Sequence, residues 1–432
     1  MEILIAVVIA IIIVVIVFVY MTPSYHVHKS TGPQPDIYKA TDSLDYLVNN
    51  TYCGVNKDHD WDSSNHGPLW KRAPLDKDCG TSGGQQDFWY SGTQIDSIVN
   101  LVVATGKATP EANKVLDGVF ESDTLLYQLM NSTNGAWNDD RLWFTIDFIR
   151  LYQFDSKRFP KGLDWATQVF NEIHTKFYDS FVCNGKTYTS TWWHLVPRAQ
   201  IYRNTITNSL LLVLAARLYE FANAQDKEKY WKVIQDLIEM LMPLKIPSSG
   251  LMGDGWGGKG GCSPLGGTYT YNQGVLLDGF VRAAKIYQDK KNFAKRDQVL
   301  AFTFSLISTM TEPVPSNPMI AYNGKHQPIL YDLNSPPPFK GVYCKYLAYA
   351  VQGLVELPLN RKQRKILWKA KKFISQNAEW VYQNGLHNKM YPYEWQLTKS
   401  QVDKLDWGNF LTATTFSAID LFTTDYILKS LM

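Results

Sequence analysis

Asn138-Asp139-Asp140 is where residue type and spacing in this chain could do chemistry. The two adjacent carboxylates lie between Trp137 and Trp143, where a polar loop gives way to an apolar helical run. Burial and mutual repulsion can give two such acids different proton affinities, the division of labour that cleavage of a glycosidic bond requires. Asn and Asp are also ordinary first-turn residues whose oxygens meet unpaired helix N–H groups, so the triplet alone reads first as a helix start.

Other loops repeat the combination of aromatic ring and amide or acid. Thr189-Ser190-Thr191-Trp192-Trp193-His194 places two tryptophans side by side and leads through Tyr202-Arg203-Asn204 to Asn208. Gly253-Asp254-Gly255-Trp256 is glycine-dense but lacks the Lys-Ser/Thr ending of a phosphate loop. Thr270-Tyr271-Asn272-Gln273-Gly274 again precedes a helix. Flat apolar faces with polar edges suit sugar rings, so Trp137, Trp192, Trp193, Trp256 and Tyr271 are candidate platforms. Asn208, Asp254 and Asn272 are candidate partners for sugar hydroxyls, and the alternative for each is core packing or capping.

The elements that must position these groups are helical. Apolar-periodic segments recur near 36-50, 88-104, 111-130, 140-153, 162-179, 204-222, 228-243, 272-289, 292-310, 340-352, 361-377 and 409-428. The loops 54-86, 180-203, 244-271, 311-339 and 378-408 are rich in Gly, Pro, Asn and aromatics. Twelve helices of similar length suit an all-α (α/α)6 barrel of six hairpins, and no repeat signature of a common solenoid is present. Ile206–Ala216, almost wholly apolar after Asn208, reads as an inner helix, and 361-372, rich in Lys and Arg, as an outer one.

Composition narrows the class. The net charge is +3, from 43 basic and 40 acidic residues, and no basic stripe argues for nucleic acid. The run Ile3–Val19 predicts an N-terminal hydrophobic helix: residues 1-22 read as an uncleaved signal anchor, with a cleaved signal peptide as the alternative. Residues 23-35 then form a short stalk and 36-432 the barrel domain, facing the secretory lumen or the cell exterior, with the membrane as a partner through the N-terminal helix. In that oxidising setting the five cysteines predict one or two disulfides and at least one free thiol, and the sequons at Asn49 and Asn131 are candidate glycan acceptors, a pattern that also arises by chance.

Taken in order, these pieces resemble glycoside hydrolase family 76, the endo-α-1,6-mannanases and related fungal wall proteins. The resemblance is carried by Trp137-Asn138-Asp139-Asp140, Arg203-Asn204-Thr205-Ile206-Thr207-Asn208, Ala215-Ala216-Arg217-Leu218, Gly253-Asp254-Gly255, Thr270-Tyr271-Asn272-Gln273-Gly274 and Phe339-Lys340-Gly341, over roughly residues 85 to 350. It implies an (α/α)6 barrel and retaining endo-hydrolysis of α-1,6-mannosidic bonds, with Asp139 as nucleophile, Asp140 as acid/base and no metal or organic cofactor. On that reading Asp139 stays ionised and Asp140 carries the raised pKa. A mannan transglycosylase of the same fold, or a glycan-binding barrel without turnover, are the alternatives. Arg141 departs from the smaller or uncharged residue associated with the family at that position, and could ion-pair with a catalytic acid.

Overall fold

The computed structural model describes residues 37–55, 68–71, 73–74, 88–121, 123–131, 137–194, 201–257, 262–265, 267–312, 317–332, 335–406 and 411–432. In chain order its helices are α1 (Tyr38–Thr51), α2 (Phe88–Thr105), α3 (Pro110–Glu121), α4 (Thr124–Asn131), α5 (Asn138–Phe154), α6 (Gly162–Lys176), α7 (Thr205–Phe221), α8 (Ala224–Leu241), α9 (Thr270–Asp289), α10 (Phe293–Thr311), α11 (Phe339–Val355), α12 (Arg361–Gly385), α13 (Lys399–Val402) and α14 (Thr412–Leu431).

Six of them close a ring. Helix α2 packs on α5, α5 on α7, α7 on α9, α9 on α11, α11 on α14, and α14 returns to α2. The outer layer is formed by α3, α6, α8 and α10, each against the inner helix that precedes it, and by α12 and α1, which both lie against α14. The first helix therefore closes the barrel beside the last. Because the chain returns through the outer layer between successive inner helices, all six inner helices begin at the same end, and the long loops gather there.

The two layers differ in sequence for a physical reason. An outer helix buries one stripe: in α12 this is Leu367, Ala370, Phe373, Ile374, Asn377, Ala378 and Val381, at helical spacing. An inner helix has neighbours all round, and every residue from Thr205 to Leu218 of α7 is buried. Close approach also selects glycine within the ring. A Cβ on Gly274 would lie 2.6 Å from Tyr343 Cα, and one on Gly341 2.5 Å from Ser417 Cα, distances only a missing side chain allows.

Inner helices so enclosed still carry charge. Each contributes at least one buried ionic group: Asp96 from α2, Asp147 and Arg150 from α5, Arg217 from α7, Asp278 from α9, Lys345 from α11 and Asp420 from α14. Arg150 pairs with Asp96 at 2.5 Å, Lys345 with Asp96 at 2.9 Å and Asp420 at 3.3 Å, and Arg217 with Asp278 at 3.6 Å. Breaking one such pair strands a charge in the core, at a cost of roughly 3–5 kcal/mol.

Details depart from the sequence reading. The segment expected as one helix over 111-130 is two, α3 and α4, and α12 continues to Gly385 through residues expected as loop. Within the loop 180-203 the chain forms a hairpin, β3 (Tyr178–Cys183) against β4 (Lys186–Thr191), the third and fourth strands after β1 (Tyr52–Val55) and β2 (Pro68–Trp70). Further on, β5 (Arg203–Asn204), β6 (Gly255–Gly257) and β7 (Ser263–Leu265) make a small sheet. Cys183 is bonded to Cys262, which ties the hairpin to the segment carrying β7, and Cys344 is free and buried.

The expectation of a membrane-anchoring helix, with the membrane partner and anchored location drawn from it, is corrected. No helix among the described residues is long and apolar enough to cross a membrane. Their buried helices bear Asn, Thr and charged groups that find partners inside the barrel, a pattern unsuited to lipid. The run Ile3–Val19, the stalk, Cys79 and the Ser-Thr of the second sequon lie outside the described residues. Asn49 of the first sequon lies exposed in the last turn of α1, whereas its Thr51 is buried and donates to the Leu47 carbonyl at 2.7 Å.

Candidate active site

The first turn of α5 is held from outside the helix. Trp137 precedes it in extended conformation and offers no side-chain cap. Instead the segment around residues 192–194 runs alongside: Asn138 donates its backbone N–H to the Trp193 carbonyl and its amide to the Trp192 carbonyl, each at 2.8 Å. Trp137 pairs antiparallel with His194, its indole N–H 3.3 Å from His194 Nε2. Asn138 thus works as a clamp between helix and loop, neither a cap nor a substrate contact.

That clamp fixes both acids. Asp139 and Asp140 are each only 8% exposed. Trp193 Nε1 donates to Asp139 Oδ2 at 3.0 Å, while Asp139 Oδ1 is buried without a hydrogen-bond partner. Burial pushes the Asp139 carboxyl up to about 7; the Trp193 N–H and the first-turn N–H groups oppose this, and the nearby charge of Asp254 adds to it. Asp139, which the sequence reading expected to stay ionised, thus carries a raised proton affinity.

A second wall faces these acids. Tyr202 donates its hydroxyl to Asp254 Oδ2, and Asn272 Nδ2 donates to Asp254 Oδ1 at 3.1 Å. The Asp254 carbonyl accepts the Thr205 N–H at 2.6 Å, so this acid is fastened to the start of α7. Tyr271 stacks on Phe339, with centroids 3.6 Å apart and planes 10° apart. Burial, then the charges of Asp254 and Asp139, hold the Tyr271 hydroxyl well above its ordinary range, so it stays protonated. One turn into the barrel, Trp143 of α5 meets Tyr346 of α11 edge to face at 6.2 Å.

The structure thus brings together Trp137, Trp193, Asp139, Asp140, Asp254, Tyr271 and Asn272. It leaves three other candidates out of this cluster. Asn208 is fully buried, accepts the Thr191 N–H at 2.9 Å and donates to the carbonyls of Asn204 and Thr191 at 2.8 and 3.2 Å, so its amide has nothing left for a sugar. Trp256 is buried against Phe181 and Tyr188 with its N–H on the Met240 carbonyl at 3.2 Å. Trp192 turns away to Phe177 and donates to Asp179 at 2.8 Å. Arg141 does not pair with either acid of the triplet: it is buried, reaches Glu172 of α6 at 3.5 Å and touches Asn138 Oδ1 at 3.4 Å. Tyr202 and Phe339 escaped notice as site residues because nothing local sets a tyrosine or phenylalanine before a helix apart from a core residue.

A ring of six inner helices with adjacent, buried carboxylates at its aromatic mouth defines the helical-barrel class of glycoside hydrolases. Within it, the chain belongs to glycosyl hydrolase family 76, whose sequence model matches residues 59–430. Two provisionally named mannan endo-1,6-alpha-mannosidases of Schizosaccharomyces pombe are 26% identical over 279 residues and 22% identical over 277 residues. Each match takes in 61% of this chain, which spans only 58% and 59% of those relatives. Among solved structures, an inactive variant of the Salegentibacter sp. HEL1_6 alpha-1,6-mannanase, with two consecutive aspartates changed to asparagine, binds alpha-1,6-mannotriose. It superposes with a TM-score of 0.66 at 17% identity, over 91% of this chain and 100% of that one. Dfg5 of Chaetomium thermophilum, in complex with glucosamine, gives a TM-score of 0.57 at 18% identity over 78% and 80% of the two chains. At such identities the likeness is one of fold.

Proposed function

We propose that this protein cleaves α-1,6-mannosidic bonds within mannan or a related α-mannoside, with retention of configuration. The observation that carries the reading is the pair Asp139-Asp140, presented side by side at the mouth of the ring in a family of glycosidases. In the first half-reaction an ionised Asp139 oxygen attacks the anomeric carbon while Asp140 gives its proton to the departing glycosidic oxygen. A glycosyl ester on Asp139 and a shortened chain result. Asp140 then takes a proton from water, whose oxygen displaces Asp139 and restores the starting anomer.

The environment supports these roles in a specific way. The six inner helices bring their N-termini to this end, and their partial positive charge favours carboxylates there. Desolvation opposes it at Asp139, so the nucleophile is strongly basic for a carboxylate and its ionised form is regained as pH rises through about 7. Trp193 donates to Oδ2, which leaves Oδ1, without a hydrogen-bond partner, as the oxygen free to attack. Trp137 and Tyr271 offer faces for sugar rings on either side.

The test is product analysis on linkage-defined mannans. Incubation with α-1,6-manno-oligosaccharides should give shorter α-configured products, and Asp139→Asn should abolish them. Intact substrate at high protein concentration would sink the proposal, and elongated products in place of shorter ones would replace hydrolysis by transfer.

A further inference from the structure

Tyr202 lies between the two carboxylates of the cleft wall, in contact with Trp193 on one side and with Asp254 on the other. Its carbonyl accepts the Trp193 N–H at 2.9 Å, and its ring meets the Trp193 ring edge to face at 5.7 Å. Its hydroxyl points the other way and donates to Asp254. Trp193 in turn donates to Asp139 at 3.0 Å, and Asp254 is braced by Asn272 and by the start of α7. An aromatic strut therefore runs Asp139, Trp193, Tyr202, Asp254, with each acid hydrogen-bonded to one end.

We infer that Tyr202 is a positioning residue of this site, holding Asp254 as a fixed negative charge beside Asp139 and thereby governing when Asp139 releases its proton. The inference rests on the reading of Asp139 as the reacting acid. The titratable groups facing Asp139 from other elements are Asp254, from the segment before β6, and Tyr271, at the start of α9; Asp140 adjoins it on its own helix, while His194 and Tyr202 pack on Trp193 and Tyr269 on Tyr271. The basic residue nearest in sequence, Arg141, is turned to Glu172. Among these neighbours Asp254 adds a like charge that raises the proton affinity of Asp139, and Tyr202 disperses that charge by donating to it. The Tyr202 hydroxyl, held protonated by burial and by Asp254 itself, serves as donor throughout the working pH range.

The indole N–H of Trp193 is a built-in reporter, because it sits on Asp139 Oδ2. Its ¹H–¹⁵N resonance, assigned with Trp193→Phe, should titrate with Asp139 in the absence of any substrate. Asp254→Asn removes the like charge and should lower the midpoint by about half to one pH unit, a three- to tenfold change in the proton-binding constant. Tyr202→Phe keeps the ring, strips the donor from Asp254 and should raise the midpoint. The double variant should titrate like Asp254→Asn alone, because Tyr202 then has no charge to act through. An unmoved midpoint in Tyr202→Phe, or an upward shift that persists beside Asp254→Asn, would overturn the inference, provided near-UV circular dichroism shows each variant folded. A wild-type protein that leaves mannan intact while the midpoints move as stated would sink the proposed activity alone; hydrolysis with unmoved midpoints would sink this inference alone.

Discussion

Asp147→Asn is the most demanding perturbation of the barrel, because it asks whether the core carries one acid too many. Around the Asp96 site, the carboxyls of Asp96, Asp147 and Asp420 face the cations Arg150 and Lys345, all buried. Three acids against two cations leave one carboxyl to be neutralised by a proton. Asp147 is that group: burial first, then the charge of Asp96, hold it well above the ordinary carboxylate range, while Arg150 is 4.0 Å away and better engaged with Asp96 at 2.5 Å. Unfolded, Asp147 loses its proton near pH 4, so above that pH this one group keeps in the folded protein a proton that it has lost in the unfolded chain. Stability from this group is fully present below about pH 4 and is lost, by about 1.4 kcal/mol per pH unit, as pH rises toward the folded pKa. Asparagine offers a neutral amide in the same place with no proton to take up. Between pH 5 and 7 the stability of the variant relative to wild type should therefore rise by up to about 2.7 kcal/mol, the two-unit span of that slope. Denaturant melts of both proteins at the two pH values measure it. A difference that does not change with pH, or shrinks, would refute the assignment of the proton to Asp147, whatever the absolute cost of the substitution.

Other outcomes follow from the same structure. Asp139→Asn and Asp140→Asn should each lower kcat on an α-1,6-mannan by at least about a thousandfold while leaving the melting temperature within a few degrees, since general acid–base and nucleophilic roles are worth that much. For the wild type, kcat/KM should climb with pH through an acid limb near 7, where Asp139 ionises; a limb near 4 would place the reacting carboxylate elsewhere. Arg141→Met should leave kcat within about threefold, because Arg141 is joined to Glu172 and the clamp residue Asn138, and a kcat loss of a hundredfold at unchanged stability would give it a role in the chemistry. Replacing Cys183 and Cys262 by serine should cost about 2–4 kcal/mol in unfolding experiments, as expected for a bridge closing a loop with a sequence separation of 79.

Much of the layering was legible because burial writes itself into composition. A helix enclosed on all sides has no polar stripe, so Ile206–Ala216 read correctly as inner, and the Lys- and Arg-rich start of α12 read correctly as outer. The break between α3 and α4 was less visible, since residues on both sides of it continue an apolar rhythm. Candidate platforms fared unevenly for a related reason. Trp193 and Trp256 are both tryptophans in loops beside acids, and only the path of the hairpin β3–β4 decides that one donates to Asp139 and the other to a carbonyl in the core. Asn208 sits in the family's ordered motif because it fastens the end of that hairpin to α7, a structural duty that looks the same in one dimension as a sugar contact.

By itself the sequence determined that this chain forms a double layer of helices, and that its adjacent acids stand at the start of one of them. Periodicity and the order of motifs are local properties and survive without coordinates. Only the tertiary structure decided how basic Asp139 is, because burial raises its proton affinity and the charge of Asp254 adds to it across a wall built from segments more than a hundred residues apart. It also decided that Arg141 turns outward and that a ring of buried charge lies beneath the site. Proton affinity depends on what surrounds a group in space, and that is fixed when the ring closes.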